Sequence, residues 1–349
     1  FTFQESPFNE VDNAVFSSLA YLDFSDCIDG EEEITIRFLA RRYFKKNNTQ
    51  KIRKNPHSIR QMIETFFLCS TVRRYQDIIV HHFRHIINET TQFQALCFTI
   101  SKGTMFVAFE GTDDSMVGWH EDFDMMHTFP IPSQKLAMEY LNQVITRKYH
   151  RVYVGGHSKG GNLAMTACMY LPFWKQHKVK QIYNNDGPGF RKEEYESKEF
   201  KRIEKKLHVI IPESSVIGLL FYHKKDFQVV KSLGRGIYQH DLSNWLCYGA
   251  YFTPGTLTDE AKSQARRFSI CFQKYSYAKK KEFVNILFSL FKECNMTVFS
   301  EVTNPKISKL IRLIHASRKL DKESKELLID MFSIVLNNKV ASKNETIAS

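Results

Sequence analysis

Apolar residues recur at three- and four-residue steps across Asn9 to Leu22 and again across Ile59 to Phe67, the spacing that gathers side chains on one helix face. Between them, Arg41 to Pro56 is basic and interrupted by breakers, and reads as a connection. Residues 1–92 are therefore expected to be a helix-rich segment packing beside a sheet. From Phe93 the pattern changes: residues 93–252 alternate strand-like and helix-like runs, as a mostly parallel sheet with crossover helices requires. Phe93 to Ile100 and Thr104 to Glu110, joined by Ser101-Lys102-Gly103, read as a hairpin. A helix over Gln134 to Tyr149 follows, then strand Arg151 to Gly155, helix Gly160 to Tyr170, and strands Val179 to Asn184, Leu207 to Pro212 and Phe227 to Ser232. The repeated order suggests a doubly wound sheet. Residues 253–349 read as a helical C-terminal cap, with apolar stripes over Ser300 to Ile314 and Lys322 to Leu336 and a polar, frayed end.

Composition narrows the class. Hydrophobic residues at 43% and charged residues at 25% are ordinary for a globular protein. The 49 Lys and Arg against 38 Asp and Glu leave +11, which admits peripheral contact with an anionic surface such as a lipid headgroup. The excess is diffuse, densest in Ala40 to Lys54, Lys198 to Lys206 and Tyr277 to Lys281, and no nucleic-acid-binding motif accompanies it, so nucleic acid is not an expected partner. Seven scattered cysteines without a C-x-x-C or zinc spacing read as buried apolar thiols in a reducing compartment. No run of about 18 apolar residues is present to span a bilayer, and the first residues lack the features of a signal peptide, so a cytoplasmic location is expected.

The segment Val152 to Ala164, V-Y-V-G-G-H-S-K-G-G-N-L-A, contains the chemistry. Gly156-His157-Ser158-Lys159-Gly160 is G-x-S-x-G between an apolar strand and a helix. A serine lifted on such a turn sits in strained backbone, and the residues two before and two after crowd it, so both must be tiny; Gly156 and Gly160 satisfy this elbow. The helix beginning at the next residue aims its positive end at a developing oxyanion. A Gly-rich packing turn is the bland alternative. A Walker A loop is excluded, because Gly161-Asn162 follow where Lys and Ser or Thr are needed.

These residues, with F-E-G-T-D-D-S-M-V-G-W-H-E-D-F at 109–123, Y-N-N-D-G-P-G-F at 183–190 and Q-H-D-L-S-N-W at 239–245, resemble the bacterial Mbeg1-like family of lipase-like proteins. The resemblance runs from P-F-N-E-V-D-N near the start to about residue 340 and implies an α/β-hydrolase fold similar to that of class 3 lipases.

Acyl transfer needs a base for the serine, an acid to orient that base, and donors for the oxyanion, in the chain order nucleophile, acid, histidine. Of the downstream histidines, His177, His208 and His223 are placed at the wrong edge of the sheet, whereas His240 follows the last strand at its carboxyl end. For the acid, class 3 lipases carry Asp after the strand matching Leu207 to Pro212, where this chain has Glu213-Ser214-Ser215. Asp186, one strand earlier in a turn resembling that of pancreatic-type lipases, is preferred over Asp226 and Glu213, although an ordinary Asx turn would also account for it. The backbone N–H of Lys159 is one expected oxyanion donor, and the resemblance assigns the other to Thr112, with Glu110 standing where class 3 lipases have Arg. Asp113 to Phe129 reads equally as an apolar lid or as the first crossover.

The expected function is a serine ester hydrolase needing no metal or cofactor, acting on a lipid or small acylated molecule through Ser158, His240 and Asp186. The competing reading is a catalytically silent hydrolase fold that serves as a binding or regulatory module.

Overall fold

In the computed structural model, which describes residues 1–29, 32–303, 307–318 and 320–336, eight strands form one sheet in chain order. They are β1 (Ile34–Thr35), β2 (Ile79–Ile87), β3 (Gln92–Ser101), β4 (Thr104–Phe109), β5 (Arg151–His157), β6 (Val179–Asn185), β7 (Leu207–Pro212) and β8 (Gln228–Val230). Pairing is antiparallel from β1 to β4 and parallel from β4 to β8. The doubly wound expectation is thus corrected. Strand order never reverses, so right-handed crossovers deliver their helices to a single face, and the other face must be covered by different chain.

The N-terminal segment supplies that cover. Helices α1 (Glu10–Leu19), α2 (Ile36–Lys46) and α3 (His57–Thr71) pack with Phe98, Phe106, Ala108 and Tyr183 of the strands. Helix α1 begins at a capping box, in which Asn9 Oδ1 accepts from the Val11 and Asp12 amides and Asp12 returns an acceptor to the Asn9 amide. Phe16 of α1 is wholly buried and stacks on Phe98 at 4.4 Å between ring centroids. The buried Asp12 carboxylate also receives Arg74 at 2.6 and 2.7 Å and the Tyr75 hydroxyl at 2.7 Å, fixing α1 to the chain beyond α3.

Two details of this segment differ from the sequence reading. The basic stretch at 41–56 is largely helical, because α2 continues to Lys46 and a short helix covers Thr49–Arg53. The stretch read as helical also contains the long strand β2, where a register shift between His81 and Arg84 and a left-handed His82 (φ 53°) break the alternation that marks a strand.

Helix α4 (Met116–Asp124) and α5 (Pro132–Val144) link β4 to β5, α6 (Lys159–Met169) links β5 to β6, and α7 (Lys198–Ile203) links β6 to β7. The last three bury Ala137, Leu141, Leu163, Met165, Phe200 and Ile203 against Val107, Val154, Ile182 and Val209. Helix α5 stops five residues short of Tyr149, whose hydroxyl meets the Thr99 hydroxyl as the chain turns into β5.

At the C-terminus, α8 (Asp259–Lys274), α9 (Tyr277–Glu293), α10 (Ile307–Arg318) and α11 (Lys322–Leu336) form a third cluster that takes in Met126 and Phe123 at the end of α4. The expected helix over Ser300 to Ile314 corresponds to Ser300–Thr303 and α10, and the expected frayed end lies outside the described residues. Cys27, Cys69, Cys97, Cys168 and Cys294 are buried free thiols; Cys247 is exposed instead, on the tip hairpin of β9 (Cys247–Tyr248) and β10 (Tyr251–Phe252). Among the described residues no helix is long and apolar enough to cross a membrane.

His81 offers a pH test of this packing. Its side chain is enclosed, with Nδ1 2.6 Å from His82 Nδ1 and Nε2 2.8 Å from the Thr99 hydroxyl, and burial together with His82 lowers its pKa from 6.5 to about 4. Between those values the unfolded chain takes up a proton that the folded chain refuses, so the stabilisation is complete above pH 6.5 and lost as pH falls toward 4. Denaturant titrations across that window are expected to show a loss of about 3 kcal/mol from this group. His81→Asn should flatten the slope.

Candidate active site

Strand β5 ends at His157 and α6 starts at Lys159, leaving Ser158 alone at the corner with φ 56° and ψ −130°. A left-handed, non-glycine corner costs about 1–3 kcal/mol and persists only where its surroundings hold it. Here the Ser158 amide donates to the Asn185 carbonyl at 3.0 Å, continuing the β5–β6 ladder past the last strand residue. The flanking glycines are required by space: a Cβ on Gly156 would lie 2.6 Å from the Phe109 carbonyl oxygen, and one on Gly160 would lie 2.8 Å from Glu110. As the first helical residue, Lys159 has an amide outside the helix's own hydrogen-bond ladder.

Asp186 follows Asn185 at the end of β6, the strand beside the serine, and is left-handed itself (φ 49°). Its Oδ2 accepts from His240 Nδ1 at 2.7 Å. Its Oδ1 accepts from the Gly218 amide at 3.1 Å and from the Ser215 hydroxyl. The Asx-type bonds of this turn come from Asn184, which accepts from the Gly187 amide at 2.8 Å and leaves the Asp186 carboxylate to His240. The loop after β7 therefore contributes Ser215 and Gly218 as donors to the Asp186 carboxylate. The other acid candidates lie elsewhere: Glu213 accepts from the Thr256 amide, and Asp226 is exposed before β8. His177 is exposed, His208 stacks on Tyr183 at the start of β7, and His223 Nδ1 meets the Lys224 carbonyl.

His240 is held by a residue that the motif leaves variable. His157 Nε2 donates to the His240 carbonyl at 2.7 Å, with the two rings 4.2 Å apart, and the Tyr21 hydroxyl donates to His157 Nδ1 at 2.8 Å. Burial holds the His157 pKa well down and the Tyr21 pKa well up, so this network assigns a neutral, Nε2-protonated His157 beneath a protonated tyrosine. On His240 the Nδ1–H faces Asp186, which leaves Nε2 as its proton acceptor.

The loop after β4 faces the start of α6. The Thr112 hydroxyl donates to Asp122 Oδ2 at 2.5 Å, and burial lifts the Asp122 pKa to about 6. The Lys159 ammonium is completely buried, donating to Gln92 Oε1 at 2.6 Å, the Gln92 carbonyl at 3.1 Å and Glu121 Oε2 at 3.3 Å. Glu110 is buried and accepts from Gln92 Nε2 at 2.8 Å; burial and Asp113 raise its pKa well above the carboxylate range, against the pull of Lys159. Asp113 to Phe129 contains α4 and forms the first leg of the β4–β5 crossover, with Trp119 stacked on Phe299 at 3.7 Å. Tyr21, Gln92, Glu121 and Asn185 were not singled out in the sequence. The signal for Gln92 and Glu121 was a lysine in a buried elbow, which must find polar partners.

Among the described residues no three His, Cys, Asp or Glu side chains converge as a metal-binding group. The mostly parallel sheet with helices on both faces, the strained Ser158 corner and the helix starting behind it define the α/β-hydrolase fold. A family model described as Mbeg1-like matches residues 69–289, and the chain belongs to that family. No curated protein matches the chain. Among solved structures it is similar to the crystal structure of M37 lipase, at 12% identity and a TM-score of 0.37, over 61% of this chain and 70% of that one.

Asn185 joins the corner to α1: its side chain and that of Asn13 exchange hydrogen bonds at 2.8 and 3.1 Å, and Asn185 Nδ2 also donates to the Gly156 carbonyl at 3.0 Å. Asn185→Leu leaves these buried groups unpaired and is expected to cost about 2–4 kcal/mol in a chemical denaturation curve.

Proposed function

We propose that the protein is a serine ester hydrolase that cleaves a lipid or other small acylated molecule through an acyl-enzyme on Ser158. The observation that carries this reading is the 2.7 Å contact between His240 Nδ1 and Asp186 Oδ2, made beside the Ser158 corner by residues far apart in the chain. In the proposed reaction His240 Nε2 takes the proton from Ser158 Oγ as that oxygen bonds to the ester carbonyl carbon. Asp186 holds the imidazole in the required tautomer and balances the imidazolium charge. The oxyanion is received by the amides of Thr112 and Lys159, the latter at the positive end of α6. Collapse expels the alcohol with the proton from His240, and water, activated by the same nitrogen, then releases the acid.

Exposed apolar residues near the pair, Val216 in the loop that holds Asp186 and Tyr238 just before His240, suit an acyl chain more than a charged group.

A fluorophosphonate should add one phosphonyl group to Ser158, seen in intact mass and peptide mapping, and Ser158→Ala should abolish both adduct and turnover of p-nitrophenyl esters of graded chain length. His240→Ala and Asp186→Ala should each lower kcat by about 10⁴-fold or more while the fold is kept. A folded wild-type chain that neither forms the adduct nor turns over any ester of the series would refute the reading.

A further inference from the structure

Gln92, the first residue of β3, is buried at 1% exposure and lies outside the nucleophile, acid and base, yet its amide group touches the chain on both sides of the candidate oxyanion site. We propose that Gln92 is the positioning residue that sets the two oxyanion donors relative to each other, an inference that rests on the ester-hydrolase reading.

One arm runs to the Thr112 donor. Gln92 Nε2 donates to the Gly111 carbonyl at 3.1 Å. That carbonyl and the Thr112 N–H belong to the same planar trans peptide and point in opposite directions, so the bond that fixes the oxygen also fixes the N–H. Without it, the peptide can rotate about the line joining its two Cα atoms. The other arm runs to the Lys159 donor. Gln92 Oε1 accepts from the Lys159 ammonium at 2.6 Å, and the Gln92 carbonyl accepts from it at 3.1 Å, tethering the residue whose backbone N–H heads α6. A single side-chain amide thus spans the two donors.

The surroundings define which way round that amide lies. Nε2 also donates to Glu110 Oε2 at 2.8 Å, and Oε1 faces an ammonium, so flipping the amide would set donor against donor at Lys159. Glu121 completes the frame: its Oε2 accepts from the Gln92 backbone N–H at 3.0 Å and from the Lys159 ammonium at 3.3 Å, while Oε1 accepts from the Ser133 backbone N–H at 2.8 Å. The cation is thereby paired and hydrogen-bonded, as burial demands.

Two substitutions separate the arms. Gln92→Met removes the donor to Gly111 and the side-chain acceptor for Lys159, leaving Lys159 only the main-chain carbonyl, whereas Gln92→Glu keeps a side-chain acceptor for Lys159 and loses the donor to Gly111; if the first fails to fold, the second decides. Because oxyanion donors act on the tetrahedral state, kcat for p-nitrophenyl butyrate should fall about 10²-fold in Gln92→Met and about tenfold in Gln92→Glu, with KM within about threefold of wild type. Affinity for an aliphatic trifluoromethyl ketone, which binds as a tetrahedral adduct, should fall by the same factors. Adding Lys159→Met to Gln92→Met should cost much less than the product of the two single losses, since they act as one unit. Hydrogen–deuterium exchange should rise about tenfold or more at residues 111–115 in either variant and stay unchanged across β5.

A folded variant with kcat within threefold of wild type, a loss confined to KM, or unchanged exchange at 111–115 would overturn the proposal. If wild type shows neither turnover nor a Ser158 adduct, the hydrolase reading falls, and the exchange measurement still decides whether Gln92 fixes the loop.

Discussion

Ser158 can keep its left-handed backbone only because the chain around it is fixed from several sides at once. Its amide is pinned to β6 through Asn185, the glycines two residues away let the ends of β4 and α6 close to contact, and Asn13 of α1 secures Asn185 from the opposite face of the sheet. The strain is local and its support is distributed. A local conformation that costs energy is affordable when the elements imposing it are themselves deeply packed, and β4, β5 and α6 are among the most enclosed parts of the molecule.

The one-way winding of the sheet shapes everything near that corner. With strands in chain order, the end of β6 is the immediate neighbour of the end of β5, so Asp186 lies beside the Ser158 corner without a long loop, and the loop after β7 is released to brace its carboxylate. The same winding leaves one face bare of crossover helices. The N-terminal helices that fill it bring Asn13 and Tyr21 to the back of the corner, so a segment that reads as packing in the sequence also determines how His157, and through it His240, is held.

The parallel strands were legible because each is a short apolar run bounded by turn residues, and the serine corner was legible because its glycines are a steric necessity with a fixed spacing. The preference for Asp186 needed its strand position together with a turn that resembles that of pancreatic-type lipases. Winding direction was not legible, since β-α-β repeats look alike whether helices alternate faces or share one. Strand β2 was hidden by the His81-His82 irregularity, which slips the alternation by a residue. The partners of Lys159 were also out of reach: Gln92 and Glu121 are 67 and 38 residues away in the chain, and only the fold brings them together. Their presence gives Glu110 a physical account. Burial and Asp113 raise its pKa well above the carboxylate range, and Gln92 donates to its Oε2 while accepting from the Lys159 ammonium.

Helix α4 has one consequence that reaches beyond the site. Its inner side carries Glu121 and Asp122, and its outer side stacks Trp119 on Phe299 and sets His120 and Phe123 against Phe288. Nine residues thus join the buried Lys159 network to the C-terminal helices. A core cut off after Phe252 would turn three aromatic faces toward water and leave the helix that carries Glu121 and Asp122 without its outer support.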